Sequence, residues 1–376
     1  MHILIAPNAF KNSLTADKVA EAIRYGLQQS RLQCTTECFP IGDGGNGTAA
    51  LIIKKKNGRR IVADAHDPLG REIKSGFGLI EEGRTAVIEM ADAAGLQFLE
   101  PAELNPLETS SYGCGELIRA ALDAGVRNII LGMGGSATVD GGTGILRALG
   151  IRFLNREGKP LPENPEQLAE LGSVDITGMD KRILAVELTI LCDVKNPLLG
   201  EKGAAAVFGP QKGATKQGVE KLEAALSVFR NITLKQTGKD MASVPSGGTA
   251  GGAAAGLYAF LNASLVSGID HFLQMTGFDK ALAKADLLIT GEGSIDEQTL
   301  EGKAPFGVAS RAREKNLPVI GLAGKLPLEE SKALDQYFDV LMSIGNEPEG
   351  LPVAMKNTAE NLIRTSREIG NLLAMP

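Results

Sequence analysis

Short apolar runs that break into a glycine- or acid-bearing loop and resume as amphipathic helix recur along this chain, and that alternation restricts its fold more than any other feature. Ile3-Leu4-Ile5-Ala6 reads as a buried strand, residues 7–13 as a loop, and the segment after residue 15 as a helix capped by Thr15. Val19, Ile23 and Leu27 recur every four residues and share one helical face, able to cover a sheet. A second strand is expected near 36–39, running into the loop 41–48. Between about 60 and 90 the rhythm changes: β-rich runs at 61–65, 73–79 and 85–90, separated by Pro-Leu-Gly and Glu-Glu-Gly turns, predict an antiparallel meander. A helix over 113–124 and strands at 128–131 and 188–191 come next, and the last hundred residues return to regular β/α alternation with strands at 287–290, 319–323 and 340–343. A parallel sheet built from both chain ends leaves the middle as an insertion. The expected fold is therefore α/β, with a discontinuous parallel-sheet domain over 1–61 and 285–376 and a second α/β domain inserted over 62–284.

Composition removes several classes of function. The 376 residues are 43% hydrophobic and 22% charged, enough to bury substantial cores. A net charge of −6 argues against a nucleic-acid partner, because phosphate backbones are held by clustered Lys and Arg. The one dense basic run, Lys54-Lys55-Lys56 with Arg59-Arg60, reads as the solvated end of a helix. Cys34, Cys38, Cys114 and Cys192 contain no CxxC pair, and His2, His66 and His271 show no metal-ligand spacing, so no zinc site is expected. No basic n-region with a long apolar segment opens the chain, and no stretch of about 18 apolar residues occurs in it. The expectation is a cytoplasmic protein with reduced thiols and no membrane partner, compatible with a homo-oligomer.

Glycine supplies 46 residues, roughly 12% against a usual 7%, and the excess gathers in loops. The strongest is 131–144, LGMGGSATVDGGTG, where six glycines surround Ser136, Thr138 and Asp140 between a strand and a helix. Such backbone can turn successive amides onto phosphate oxygens, with a helix dipole and hydroxyls adding to the attraction. It can also serve as a tight connection without ligand, and Asp140 can simply cap the helix. A second glycine cluster, 247–252, suits either a binding loop or close helix packing. The segment 286–296 places Glu292 and Asp296 just beyond a buried strand, with Lys303 at the start of the next helix. Acids at such strand ends can hold Mg²⁺ while a lysine meets phosphate, although as isolated residues they also serve as caps or surface ion pairs. Further strand-end loops offer Asn8, Lys11 and Ser13, then Asp43, then Asp193 with Asn196. Neither a GxxxxGK[ST] loop nor a strand-GxGxxG-helix unit is present, which leaves a nicotinamide-dependent dehydrogenase without its fingerprint.

Taken in order, PNAFKNSL, GDGGNGT, IEMADAAGL, GMGGSATVDGGTG, CDVKNPLLGEKGAAAVFGPQKGA and ITGEGSIDEQTLEGKAP resemble the type I glycerate kinases, also called glycerate 2-kinases, over nearly the whole chain. The resemblance implies a Rossmann-like domain with an inserted α/β domain and an active site in the cleft between them. It further implies transfer of the ATP γ-phosphoryl group to glycerate with Mg²⁺, giving 2-phosphoglycerate. Three positions depart from the family pattern: Asn8 and Asn46 stand where acids are usual, and Tyr112 where arginine is often found. Those losses of charge motivate one alternative, a degenerate member that binds ATP or a hydroxy acid as a sensor.

Phosphoryl transfer needs cations on the phosphate oxygens and a carboxylate to orient the acceptor hydroxyl. The expected assignment places Asp193, Asp43 and Lys11 in catalysis, with Asp193 the preferred base. Ser13, Gly134, Gly135, Ser136, Asp140, Gly141, Gly142, Asn196 and Lys303 are expected to bind phosphate or substrate, and Glu292 and Asp296 the metal.

Overall fold

The computed structural model describes residues 1–376, the side chain of Glu301 apart. The chain opens with strands β1 (His2–Ile5) and β2 (Thr35–Cys38). It continues through β3 (Arg59–His66), β4 (Glu72–Ile80), β5 (Thr85–Glu89), β6 (Asn128–Gly132), β7 (Arg152–Asn155), β8 (Leu171–Asp175), β9 (Glu187–Cys192) and β10 (Ser264–Ser267). It closes with β11 (Leu287–Ser294), β12 (Val319–Lys325) and β13 (Val340–Ser343). Two compact units result, one of Met1–Asp43 with Ile269–Pro376 and one of Gly44–Gly268. The fold is α/β, as the alternation of segments requires. Among the described residues no helix is long and apolar enough to cross a membrane.

The discontinuous unit is built on a five-stranded sheet in the order β13-β12-β11-β1-β2, every pair parallel. Ile3, Leu4 and Ile5 are fully buried, and Ile3 pairs with Leu287, so the first strand lies in the interior of a sheet completed by the last hundred residues. The helix Ala16–Gln28 buries Val19, Ile23 and Leu27, the predicted face. Thr15 occupies its N-cap position, yet its hydroxyl turns to the Asp17 carboxylate instead of a backbone N–H. From β1 the chain crosses through this helix to β2 on one side; from β11 it crosses through the helix Ala304–Arg313 to β12 on the other. The strand order therefore reverses between β1 and β11, the point where open α/β sheets bind ligands beyond the strand carboxyl ends.

The contiguous unit holds a six-stranded sheet, β10-β9-β6-β5-β4-β3, and a two-stranded one, β7-β8. The antiparallel meander forms as β3, β4 and β5, after which β5 pairs parallel with β6, β6 with β9 and β9 with β10. One large core, including Phe77, Phe153, Phe229, Leu131 and Ile190, fills this unit. The units divide at 43/44 and 268/269, where sequence placed the boundaries at 61/62 and 284/285. The helix Thr48–Lys55 explains the first difference, since it packs on β4 and β5. At the other end Phe278 stacks edge-on against Phe39, ring centroids 5.3 Å apart, which ties the helix Phe278–Leu282 to the discontinuous unit. A 22-residue helix, Lys216–Thr237, capped by the Thr215 hydroxyl on Gly218 N–H, had no sequence expectation of its own.

Candidate active site

In the discontinuous unit the functional candidates gather where the strand order reverses. Asn8 lies just beyond β1 and its N–H donates to the Gly291 carbonyl at 2.9 Å. Its side chain then reaches across: Nδ2 donates to Asp43 Oδ2 at 3.0 Å, while Oδ1 accepts from Ala9 N–H at 2.8 Å. Asn8 thus presents a donor to a carboxylate, where an acid would face Asp43 with like charge. Glu292 ends the buried part of β11, only 9% exposed, and Oε1 accepts the Thr299 hydroxyl at 3.0 Å. Burial pushes its carboxyl up to about 7, and Asp43 adds to that rise; Lys303, Thr299 and Lys11 pull the other way. Lys11, Asp43, Glu292 and Lys303 therefore share one electrostatic neighbourhood, two acids and two cations at the strand ends.

In the contiguous unit the loop after β6 meets two other loops. Gly134 N–H donates to the Gly44 carbonyl at 3.0 Å, and a β-carbon on Gly135 would fall 2.0 Å from Asn46 Oδ1. The φ of +72° at Gly135 favours glycine there whatever the Asn46 side chain does. On its other flank the loop accepts the second glycine cluster: Gly141 N–H donates to the Gly251 carbonyl at 3.0 Å, and a β-carbon on Gly256 would sit 2.1 Å from the Gly141 carbonyl oxygen. Close packing, one of the two readings open for 247–252, is formed here. Asp193 lies just after β9, half-buried, at the next strand end in the same sheet.

Several predicted binding residues carry bonds within the protein. Asp140 is 1% exposed, and its carboxylate accepts from Ser111 N–H and Oγ and from Gly142 and Gly144 N–H, at 2.6 to 3.1 Å. The bond to Gly144 N–H reaches the first turn of the helix Thr143–Ala148, and the four together occupy the oxygens expected to face a ligand. The Ser13 hydroxyl donates to the Met355 carbonyl at 2.6 Å, fastening its loop to the C-terminal helices. One Asp296 oxygen accepts Gln298 N–H at 2.9 Å as the cap of the turn Glu297–Glu301, and Asn196 Nδ2 donates to the Lys202 carbonyl at 2.9 Å. Among the described residues no three His, Cys, Asp or Glu side chains converge as a metal cage.

Two buried ionisable groups had no place among the sequence candidates. Glu89, at the end of β5, accepts Gly47 N–H at 3.1 Å and Ala49 N–H at 2.7 Å, and burial pushes its carboxyl up to about 7. Lys212 is 3% exposed; its ammonium donates to Ser136 Oγ at 2.8 Å and to the Thr138 carbonyl at 2.7 Å. Burial pulls its pKa down to about 7 against the Asp140 and Asp193 carboxylates. The lysine stands in the run GPQKGA, but nothing local in that run distinguishes a buried lysine from a solvated one.

An all-parallel sheet with acids and lysines at its reversal point, together with a second α/β unit whose glycine loops gather a buried cation, defines the class of α/β proteins that handle small anionic substrates. Comparison with known proteins narrows the class. Residues 3–374 match the sequence model of the glycerate kinase family. The chain is 43% identical to a glycerate kinase of Halalkalibacterium halodurans, over 98% of this chain and 97% of that one. It is 39% identical to the glycerate 2-kinase of Escherichia coli, over 100% and 98%. A crystal structure from Salmonella typhimurium LT2, described as glycerate kinase 2, superposes with a TM-score of 0.82 at 43% identity, covering 99% of this chain and 98% of the other. The chain belongs to the glycerate kinase family.

Proposed function

We propose that this protein is an ATP-dependent glycerate kinase, transferring the γ-phosphoryl group to a glycerate hydroxyl to give 2-phosphoglycerate and ADP. Full-length family membership supports the reaction, and the observation that carries it to residues is the grouping of Lys11, Asp43, Glu292 and Lys303 where the strand order reverses. Lys11 and Lys303 neutralise charge on the transferring phosphoryl group. Asp193 receives the proton of the attacking hydroxyl as its oxygen bonds to phosphorus and the bond to ADP breaks, with Asp43 the second candidate. Backbone at Gly135, with Ser136, holds anionic oxygens, while Gly134, Asp140, Gly141 and Gly142 shape that loop.

The donor set fits Mg²⁺, which takes one or two carboxylates and completes its shell with phosphate oxygens and water. Glu292 and the second oxygen of Asp296 would hold it, and a divalent cation would relieve the burial and like charge that burden Glu292. Held there, the ion would supply positive charge against the phosphate oxygens. The four cysteines are free thiols, in keeping with action in the reducing cytoplasm. The test is coupled ADP release across glycerate enantiomers and related hydroxy acids, with product position read by phosphorus NMR. Glycerate-dependent ADP formation and a 2-phospho product are expected; tight binding of ATP and glycerate without turnover, at any metal concentration or pH, would instead make the protein a sensor.

A further inference from the structure

A buried lysine is costly unless its charge has partners, and Lys212 has two of unequal meaning. Thr138 offers a carbonyl, an acceptor and nothing else. Ser136 offers a hydroxyl, which can donate or accept. An ammonium has no lone pair, so toward Lys212 the Ser136 oxygen can only accept. Its own hydrogen is left over for a further acceptor. Ser136 is 5% exposed and sits in the glycine loop after β6, where the chain was expected to meet phosphate.

We propose that Lys212 is a positioning residue that commits the Ser136 hydroxyl hydrogen to an anionic oxygen of the substrates, either a phosphoryl oxygen of ATP or the carboxylate of glycerate. The proposal rests on the phosphoryl-transfer reading above but is tested separately from it. The ammonium acts twice: it occupies the serine lone pair that would let the hydroxyl turn inward, and its charge polarises the O–H, strengthening it as a donor. It also pins the Thr138 carbonyl, which fixes the loop in which the serine sits. The carboxylates facing the ammonium are Asp140, from the same loop, and Asp193, after β9. Asp140 has four bonds of its own, so its charge favours protonated Lys212 without taking its hydrogens.

The experiment is calorimetric binding of a non-hydrolysable ATP analogue and, separately, of glycerate, to wild type, Ser136→Ala, Lys212→Met and the double variant, with thermal unfolding as the check on folding. Each single variant should weaken one of the two ligands by about tenfold or more, the scale of a lost charge-assisted bond. The double variant should be no worse than the weaker single, because the lysine works through the serine. Loss confined to the analogue assigns the hydrogen to a phosphoryl oxygen; loss confined to glycerate assigns it to the carboxylate. The pH profile separates positioning from mere stability. As pH rises through about 7 the amine becomes neutral and can accept the serine hydrogen, so wild-type affinity should fall, and Lys212→Met should lack that step. Should Lys212→Met fail to fold, Ser136→Ala with the wild-type pH profile decides. A change below about threefold for both ligands in Ser136→Ala, or losses that multiply in the double variant, overturns the proposal, as does a wild type that binds neither ligand. A wild type that binds both but forms no phosphoglycerate defeats the kinase reading alone.

Discussion

Asp193 stands at the end of β9, half-buried, beside β6, whose following loop carries Ser136. If Asp193 is the proposed acceptor of the glycerate proton, it should be replaceable in shape but not in basicity. Asp193→Asn should keep the fold and lose about 10²–10⁴ in kcat. A folded variant that retains more than about a tenth of wild-type kcat, a loss under about 1.4 kcal/mol, passes the role to Asp43. Partial recovery at high Mg²⁺ would mark Asp193 as a metal ligand. Glu292 makes a different prediction. Its carboxyl is raised in the folded protein to about 7 from an ordinary 4.5. Between those values the folded protein keeps a proton that the unfolded chain has released, so stability falls as pH rises through the window and the loss is complete above about 7. Glu292→Gln removes this group's share: the stability difference between wild type and variant, from urea midpoints at about pH 4.5, 6 and 8, should shift in the variant's favour as pH rises. Parallel curves would mean that Glu292 ionises normally. Neither environment was legible locally. The sequence suggests that Glu292 lies just beyond a buried strand, where the structure extends β11 through it, and the Asp43 that faces it comes from the other end of the sequence, while Lys212 lies in a run whose glycines suggest an exposed turn.

Among elements, the two glycine clusters show what the sequence expresses and what it leaves open. Six glycines between a strand and a helix announce a loop whose backbone is approached closely, and it is. They do not say by what. The second cluster and the 44–47 loop do much of the approaching, since Gly251 and Gly256 lie on 138–141 while Gly45 and Asn46 lie on Gly134 and Gly135. The pairing is a tertiary event between segments roughly a hundred residues apart, beyond the reach of any local pattern. Its cost can be measured. In Gly256→Ala the new methyl would meet the Gly141 carbonyl at 2.1 Å, so the helix Ala253–Leu261 must shift, for about 1–3 kcal/mol of stability and a lower denaturation midpoint. Gly277→Ala is the control: φ is +74° but nothing lies within 4 Å, leaving only the left-handed penalty of about 1–2 kcal/mol. If the loop contact matters for substrate, Gly256→Ala should also raise KM while Gly277→Ala should not; equal KM values would reduce the contact to scaffolding.

At the scale of the molecule, the two larger sheets were readable in outline, β10 apart, because their strands are mostly short apolar runs with clear stops; the β7-β8 pair, the pairing order and the unit limits were not, since they depend on tertiary packing. The contiguous unit has its own sheet and core, so a fragment of Gly44–Gly268 should fold alone, with a cooperative thermal transition and dispersed amide NMR signals. A non-cooperative, collapsed spectrum would show that the unit depends on the rest of the chain. The other unit has no such freedom, because its sheet joins β1 to strands from the far end: the Thr290 hydroxyl that donates to the Ala6 carbonyl lies 284 residues downstream. On a ribosome adding about 5–20 residues per second, that separation amounts to roughly 15–60 seconds of synthesis. For that interval Ile3-Leu4-Ile5 waits outside the exit tunnel without the β11 edge it will pair with, while the middle of the protein can already have finished folding. The nascent chain is thus longest exposed at its oldest end, and demand for chaperone protection should concentrate there.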